Sequence, residues 1–373
     1  MMLQGVNLGG WLVLEKWMTP SLFDGTTAAD ETYFCHDLGE DRARERLKTF
    51  RDTFIQRRDF AEIADHGFNA VRIPVPFFIF EDIGPYIHCY EYLDRAFEWA
   101  EEFQLKILID LHTVPGGHNG TDNSGISGIC LWSTREECVD CTLRVLERLA
   151  KRYGQREALW GIEALNEPMC SDTPSGAYLN IQEFIRYYTP AEPELAEGNA
   201  NYSLAFLKQF YRDAYARMRR HMAADKRIVF CDAFELDIWD DFLLNEGMEG
   251  VCLDTHHYLM TPDRMLFTQR NLDVYHDYLL SLGKRLRAAG RRIPLIVGEW
   301  NVQNTADGLR EMTPSEKDEL YCTLAELFQD GFSECLGWFY WSWKITAGGI
   351  DEPEFLISTN PGEPVRPLGM VAS

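Results

Sequence analysis

The chain has 373 residues, 46% of them hydrophobic, which is enough for one large domain or two smaller ones around a buried core. Its 59 acidic and 36 basic residues give a formal charge of −23, which argues against binding to nucleic acid or to an anionic membrane surface. No run of about 20 apolar residues predicts membrane insertion. Uncharged partners such as sugars are compatible with this charge.

The ten cysteines predict buried reduced thiols rather than disulfides, because several lie in apolar runs typical of strands. Cys138 and Cys141 form a C-x-x-C pair near Cys130, but no second pair and no close histidine pair completes a tetrahedral metal site. The chain starts at Met1 without the basic and apolar segments of a secretory signal. These features together predict a cytoplasmic protein.

Eight short apolar runs alternate with amphipathic segments along the chain. Runs such as 106–111 and 294–298 are continuously apolar, as expected for parallel strands buried on both faces. Segments such as 91–103, 142–153 and 206–222 carry apolar residues along one helical stripe. This alternation predicts an α/β fold, a (β/α)8 TIM barrel that forms a single catalytic domain over residues 1–373. The eight predicted strands are Leu3–Leu8, Phe68–Pro74, Lys106–Leu111, Leu159–Leu165, Arg227–Cys231, Val251–Thr255, Pro294–Gly298 and Leu336–Trp341.

Three connections that follow predicted strands are long, namely residues 19–39, 113–134 and 169–203. In such a barrel the loops at the carboxyl ends of the strands build the functional site. We interpret residues 169–203 as a loop insertion and a candidate lid rather than a domain linker, because predicted strands continue on both sides of it.

Two glutamates follow predicted strands and carry the clearest chemical signal. Glu167 lies in the tripeptide Asn166-Glu167-Pro168 after the fourth run, and Glu299 follows the seventh. A glycosidic bond is cleaved by one carboxyl group that protonates the leaving oxygen and a second that attacks the anomeric carbon or activates water. A lone glutamate at such a position is as compatible with a surface or helix-capping role, whereas two favour a glycosidase.

Other polar and aromatic residues lie at the same predicted edge. Each alone also fits a structural role, such as neutralising a buried acid or filling the core. Their joint position at the carboxyl ends of the strands favours a common pocket. These residues are Asn7, Arg72, His112, Asn166, His256, Tyr258 and Trp341.

Eight motifs follow one another in a fixed order over nearly the whole chain: Gly5–Glu15 (GVNLGGWLVLE), Met18–Phe23, Asp110–His112, Pro115–Gly125, Asn166–Pro168, His256–Tyr258, Gly298–Trp300 and Gly337–Lys344. This ordered set resembles glycoside hydrolase family 5, a family of clan A, and within it the fungal exo-β-1,3-glucanase branch. The tripeptide Asn-Glu-Pro is only moderately specific on its own. The complete set is very specific.

The resemblance implies a retaining mechanism in which Glu167 is the acid/base and Glu299 the nucleophile. Asn166 beside the acid/base would hydrogen-bond the sugar 2-hydroxyl, a contact that strengthens in the transition state. Because an acid must be protonated before it acts, we predict a raised pKa for Glu167. We expect Arg72 and Tyr258 to hold Glu299 ionised and oriented.

The resemblance also implies further substrate contacts. Trp341 would stack on the sugar, Glu15 would bind the terminal glucose and favour exo action, and His112, His256, Asp122 and Asn123 would supply polar contacts around it. The fungal branch clamps the second sugar between two phenylalanines, where this chain has Thr121 and Thr261. The histidine at 118 also departs from the pattern. The phenylalanine clamp that favours β-1,3-linked glucans in the fungal branch is therefore absent from these positions.

The main interpretation is a retaining, exo-acting β-glucosidase or β-glucanase that needs no cofactor and releases glucose from short β-glucans, most of all β-1,3-linked, or from glucosides. One alternative is a β-glycosidase for another sugar or a glycolipid-like aglycone, and a remote one is a barrel that binds carbohydrate without turnover. A metal-dependent hydrolase using Asp110, His112, His256 and His257 is disfavoured, because the His-x-His of such sites is absent. The sequence does not indicate an oligomeric state.

Overall fold

The computed structural model describes residues 2–175 and 188–345, and its eight strands form one closed barrel. Each strand pairs in parallel with the next, and β8 closes the barrel by pairing with β1. The predicted fold class, a (β/α)8 barrel, is confirmed. The strands are β1 (Leu3–Asn7), β2 (Ala70–Val75), β3 (Lys106–Leu111), β4 (Leu159–Glu163), β5 (Arg227–Cys231), β6 (Val251–His257), β7 (Leu295–Trp300) and β8 (Gly337–Tyr340).

Helices connect successive strands and cover the outside of the barrel. The amphipathic stripes in the sequence predict where these helices lie, but capping residues determine where each one begins. Ser203 accepts a hydrogen bond from Phe206 N, so the helix predicted from residue 206 begins at Leu204. In the described residues, no helix combines the length and apolar character needed to cross a membrane. The helices are α1 (Glu31–Leu38), α2 (Glu40–Phe54), α3 (Arg57–Asp65), α4 (Tyr90–Glu102), α5 (Glu136–Tyr153), α6 (Pro193–Ala196), α7 (Leu204–Arg219), α8 (Asp240–Asn245), α9 (Met260–Met265), α10 (Leu272–Gly290) and α11 (Pro314–Gly331).

The barrel interior changes character along its axis. Its amino-terminal part is an apolar layer of aliphatic and aromatic side chains, including Leu108, Val229 and Phe339. Toward the carboxyl ends, the side chains that point inward are charged and fully buried, with Arg72 and Asp254 among them. Buried charges of this kind must be paired, since desolvation of an isolated ion is very costly. The fold thus sets a charged layer directly beneath the rim.

A register shift in the β6–β7 pair positions two residues of the site. The pairing runs regularly up to Thr255↔Val297, then shifts so that His256 lies opposite Glu299. Irregularities of this type near active sites change the direction in which a side chain points. Here the shift explains why β6 extends to His257, two residues beyond the predicted strand end at Thr255.

The two ends of the predicted insertion, residues 169–203, lie side by side. Cys170 and Tyr202 form a parallel bridge, and Ser171 N donates to Tyr202 O at 2.8 Å. The chain therefore leaves and returns at one point, as an insertion does. Residues 176–187 lie outside the described residues, so the candidate lid stays a prediction, as does the extension of the single domain through residues 346–373.

All ten cysteines are free thiols, and eight of them are buried. Burial raises the pKa of the Cys130 thiol to about 12, which keeps it protonated and unreactive. The expected reduced thiols are present, and no metal-ligand cluster within residues 2–175 and 188–345 includes Cys130, Cys138 or Cys141.

A glycine contact sets the distance between α10 and α11. A Cβ at Gly283 would lie 2.9 Å from Cα of Gly331, closer than real contacts allow. We expect Gly283→Ala to lower the free energy of unfolding by about 1–2 kcal/mol, because overpacking outweighs the usual gain of alanine in a helix. Chemical denaturation would measure it. Ser281→Ala, at an exposed position of α10, is the control and should not destabilise.

Candidate active site

Arg72 is the centre of the charged layer. Its guanidinium is fully buried and joins side chains from four other parts of the barrel. Burial lowers the pKa of Arg72, but the surrounding carboxylates outweigh it and leave the pKa well above its ordinary value. Arg72 is therefore a permanent cation that orients its partners. These partners are Asn7 Oδ1 at 3.1 Å, Asp110 Oδ2 at 3.2 Å, Glu163 Oε2 at 2.9 Å, Asn166 Oδ1 at 2.9 Å and Glu299 Oε1 at 2.8 Å.

Glu299 is held on both carboxylate oxygens. Arg72 Nη1 donates to Oε1, and the Tyr258 hydroxyl donates to Oε2 at 2.6 Å. Burial nevertheless raises the pKa of Glu299, and the charges of His256 and Arg72 offset this only in part. The expected orienting contacts are present, while burial works against the expected ionisation of Glu299.

Glu167 follows β4 in a strained backbone conformation. Its φ of 41° lies in the left-handed region, which costs a residue with a side chain on the order of 1 kcal/mol. Asn119 Nδ2 donates to the Glu167 carbonyl at 3.2 Å, and Asn123 Nδ2 donates to Oε2 at 3.0 Å. The other carboxylate oxygen, Oε1, lies 2.9 Å from His256 Nδ1. The strained turn and these contacts direct the carboxylate toward His256.

The predicted raised pKa of Glu167 is wrong for this arrangement. Burial raises the pKa, but the hydrogen bond and charge of His256 outweigh burial and lower it to about 2. For His256, burial lowers the pKa, while Glu299, Asp254 and Glu167 outweigh that effect and raise it well above its ordinary value. The surrounding charges thus favour a proton on His256 over one on Glu167, whose Oε1 lies 2.9 Å from Nδ1. Sequence reasoning considered the negative charge of Glu299 and overlooked the cation between the two glutamates.

The two glutamates and His256 form one compact group. One oxygen from each glutamate and one ring nitrogen of His256 all lie within 4.8 Å of one another. Such a donor set is also one that a divalent ion can use, as is the group of Glu163, Cys231 and His256. Arg72, which contacts both Glu163 and Glu299, opposes a second cation in either place.

His112, Asn166 and Trp341 form one wall beside the glutamates. Asp110 Oδ2 lies 2.5 Å from His112 Nδ1, and Asn166 Nδ2 lies 3.4 Å from His112 Nε2. The rings of His112 and Trp341 are nearly parallel, with centroids 6.0 Å apart and an angle of 11° between their planes. The structure therefore brings these three predicted residues together, with an aromatic face beside polar groups, as sugar-binding sites require.

Glu15, Asp122 and Asn123 also reach this region. Burial raises the pKa of Glu15, and the charges of Asp122, Glu299 and Glu167 raise it further. Burial likewise raises the pKa of Asp122 to about 6. A second pair of acids, Glu15 and Asp122, thus lies close to Glu167 and Glu299, as the family resemblance implied.

Sequence reasoning missed Trp17. Its indole N–H donates to Glu15 Oε2 at 2.8 Å, while 36% of the residue is exposed. A large aromatic side chain that is both exposed and anchored to a pocket acid is a candidate wall of the entrance. Its position two residues after Glu15 was the available signal.

Two buried acids, Glu163 and Asp254, were also missed. Glu163 contacts Arg72, and Asp254 Oδ1 accepts the backbone N–H of Gly298 at 2.5 Å. This close approach of Asp254 requires a glycine at position 298, since a Cβ at Gly298 would lie 1.9 Å from Asp254 Oδ2. The signal was an acid within an otherwise apolar strand, which in a buried parallel sheet requires a partner.

Comparison with known proteins decides the family. The model of the cellulase family, glycosyl hydrolase family 5, matches residues 42–346. The chain belongs to glycosyl hydrolase family 5. The predicted family is thereby confirmed, and with it the assignment of this family 5 chain to the glycoside hydrolases.

Several curated relatives of this family 5 chain are fungal. A probable glucan 1,3-beta-glucosidase A of Aspergillus fumigatus is 32% identical, over 95% of this chain and 85% of that protein. The corresponding protein of Emericella nidulans is 33% identical, over 95% of this chain and 88% of that one. Glucan 1,3-beta-glucosidase I/II of Saccharomyces cerevisiae is 35% identical over 73% of this chain and 58% of its own length. The predicted resemblance to the glucanase branch agrees with these names.

Solved structures confirm the barrel. A rutinosidase from Aspergillus niger has a TM-score of 0.74 at 21% identity and covers 98% of this chain and 94% of that one. An endoglucanase from Thermotoga maritima has a TM-score of 0.55 at 15% identity, over 91% and 89% of the two chains. At these identities the likeness concerns the fold.

Proposed function

We propose that this family 5 chain is a retaining, exo-acting β-glucosidase or β-glucanase that releases glucose from the non-reducing end of short β-glucans, with β-1,3-glucans as the main substrate class. The observation that carries the proposal is the proximity of Glu167 and Glu299, whose nearest oxygens lie within 4.8 Å. Retaining enzymes hold their two carboxyl groups about 5–5.5 Å apart, whereas inverting enzymes need about 6.5–9.5 Å for a water molecule.

In this proposal each glutamate has one role. Glu299, oriented by Arg72 and Tyr258, attacks the anomeric carbon and forms a covalent glycosyl-enzyme. Glu167 protonates the departing oxygen and then deprotonates the water that releases glucose. Asn166, fixed by Arg72, is placed to bind the sugar 2-hydroxyl. Catalysis follows because these groups are already oriented before the substrate arrives.

The remaining predicted residues would enclose the sugar. Trp341 offers an aromatic face, which binds the apolar side of a pyranose. Glu15, which holds the Trp17 indole, would bind the hydroxyls of the terminal glucose and close the pocket at that end. A closed end favours exo action. The names of the fungal relatives support the β-1,3 linkage.

The test is a rate panel on nitrophenyl β-glucoside, β-galactoside, β-mannoside, β-xyloside and β-fucoside, followed by laminaribiose and cellobiose. Selective cleavage of the β-glucoside and of the β-1,3-linked disaccharide would support the proposal, and proton NMR of the first product should show the β-anomer. Release of the α-anomer would contradict retention. No cleavage of any β-glucoside would contradict the function.

Threonines at the two clamp positions give a prediction about linkage. Thr261 is exposed, whereas Thr121 is buried and donates its hydroxyl to Asn119 at 2.9 Å. We expect Thr121→Phe with Thr261→Phe to raise the ratio of β-1,3 to β-1,4 disaccharide cleavage by about 2- to 10-fold, the gain that aromatic packing provides. Thr261→Phe alone avoids the buried hydroxyl, and Thr261→Val is its control. An unchanged ratio in both phenylalanine variants would show that other loops determine linkage.

We also propose that the protein acts in the cytoplasm on small oligosaccharides or glucosides. Ten free thiols support a reducing compartment, because secreted proteins usually oxidise theirs. Fractionation of source cells, followed by a β-glucosidase assay of each fraction, tests this. Activity confined to the medium would contradict it.

A further inference from the structure

Asp254 lies on β6 in the barrel interior and is fully buried. Its Oδ1 accepts the backbone N–H of Gly298, the residue before Glu299. Its Oδ2 faces His256 Nε2 at 3.6 Å, and Arg72 Nε lies 3.9 Å away. Among the described residues, neither Asp254 Oδ2 nor His256 Nε2 has a hydrogen-bond partner. An unpaired buried acceptor and an unpaired ring nitrogen therefore face each other.

The opposite ring nitrogen of His256 faces the two glutamates. Nδ1 lies 2.9 Å from Glu167 Oε1 and 3.6 Å from Glu299 Oε2. His256 thus has a carboxylate on each side, which favours a proton on both nitrogens. The titratable and charged groups nearest the imidazole are Glu167, Glu299, Asp254, Glu163 and Cys231, with Arg72 behind Asp254. The charge of His256 also acts on Asp110, Asp232 and His257.

We propose that Asp254 is a positioning residue: it keeps the Nε2–H of His256 turned toward the barrel interior, so that His256 Nδ1 and Glu167 share one proton. The inference rests on the proposed acid/base role of Glu167. It accounts for the lowered pKa of the proposed acid, since a proton held by His256 Nδ1 lies one hydrogen bond away from Glu167. Second carboxylates that fix the tautomer of a histidine act in this way in other hydrolases.

Every proton is accounted for over one catalytic cycle of this proposed mechanism. The Nδ1–H bond breaks, its electron pair stays on the nitrogen, and an O–H bond forms on Glu167. Glu167 passes that proton to the glycosidic oxygen as the bond from this oxygen to the anomeric carbon breaks and Glu299 bonds to the carbon. Water then returns a proton to Glu167 while its oxygen displaces Glu299. Asp254 stays ionised and holds the neutral imidazole by its Nε2–H.

Asp254→Asn tests the proposal with little change of shape. The amide oxygen can still accept the Gly298 N–H, but the new NH₂ group donates to Nε2 and forces the proton of neutral His256 onto Nδ1. Neutral His256 cannot pass this Nδ1 proton to Glu167 without becoming an imidazolate, so Glu167 lacks a proton that it can use as an acid. We expect kcat/KM for laminaribiose to fall about 100-fold or more, the scale of general acid catalysis. Cleavage of dinitrophenyl β-glucoside, whose leaving group needs no proton, should fall less than about 5-fold.

The pH profile distinguishes this role from support of the backbone. Loss of the Asp254 charge makes the shared proton easier to lose, so the alkaline limb of kcat/KM for laminaribiose should move to lower pH. Asp263→Asn is the matched control, because Asp263 is a buried aspartate that accepts from Thr305 Oγ1 at 2.9 Å and has no contact with His256 among the described residues. It should leave the limb in place. Equal losses on both substrates with an unmoved limb in Asp254→Asn would overturn the proposal.

Nitrogen-15 NMR of the histidine rings gives a readout that needs no turnover. The His256 signals are identified by their absence in His256→Gln. In the unsubstituted protein at neutral pH we expect Nε2 to carry a proton, and in Asp254→Asn we expect the proton on Nδ1 alone. An unprotonated Nε2 in the unsubstituted protein would overturn the proposal even if Asp254→Asn does not fold. Failure to cleave any β-glucoside would instead overturn the proposed function. The NMR measurement of the His256 ring would then still test the positioning role of Asp254.

Discussion

Glu299→Gln is expected to lower turnover of nitrophenyl β-glucoside by roughly 10⁴-fold or more, the scale of loss when a covalent nucleophile is removed. Glutamine keeps the shape of the side chain and an oxygen that can accept from Arg72 Nη1 or Tyr258, but its amide cannot attack the anomeric carbon. Binding of a glucose-like inhibitor, measured by calorimetry, should remain within about 10-fold of the original affinity. The variant also exposes contaminating activity in the preparation.

A control is available at an exposed acid outside the site. Glu316→Gln changes an exposed residue at the start of α11 and should leave turnover unchanged. Near-normal turnover in Glu299→Gln would contradict the nucleophile assignment. Lost turnover together with lost binding would show that the substitution had disrupted the pocket, and the circular dichroism spectrum would reveal whether the barrel had formed.

Glu167→Ala is expected to lose about 10²- to 10⁴-fold in kcat/KM on substrates whose leaving group must be protonated. Dinitrophenyl β-glucoside should still form the glycosyl-enzyme, because its leaving group departs without a proton. Azide fits the space left by the carboxylate and needs no deprotonation to attack the intermediate. Added azide should therefore accelerate turnover and yield β-glucosyl azide.

The configuration of the azide product tests both glutamates together. A β-product requires two inversions, one by Glu299 and one by azide. An α-product would mean that azide attacked the substrate directly, which would remove the evidence for a covalent intermediate. Absence of azide rescue would contradict the acid/base role of Glu167.

The strands could be predicted from the sequence because a parallel strand buried on both faces requires a short, continuously apolar run, which is easily recognised. β3 and β5 have the predicted bounds, and only the ends of the other strands differ. Those ends depend on contacts between distant segments. The extension of β6 to His257 follows from the register shift against β7, which no local pattern encodes.

The site was predictable where a residue type implies its own chemistry. Two glutamates after strands, taken together with an arginine within a strand, indicate function, and the structure brings Glu167, Glu299 and Arg72 together. The protonation of the site was not predictable. It depends on His256 Nδ1 lying 2.9 Å from Glu167 and on Asp254 lying behind the ring, and these positions exist only in the closed barrel.

The bridge between Cys170 and Tyr202 has a consequence for how the insertion can vary. Since the insertion leaves and rejoins the barrel at neighbouring backbone positions, its length is independent of the strands that carry the catalytic groups. Closing a longer loop costs little, about 0.6 kcal/mol for each doubling of length. Segments of different size can therefore be exchanged at this junction without changing the strands below it.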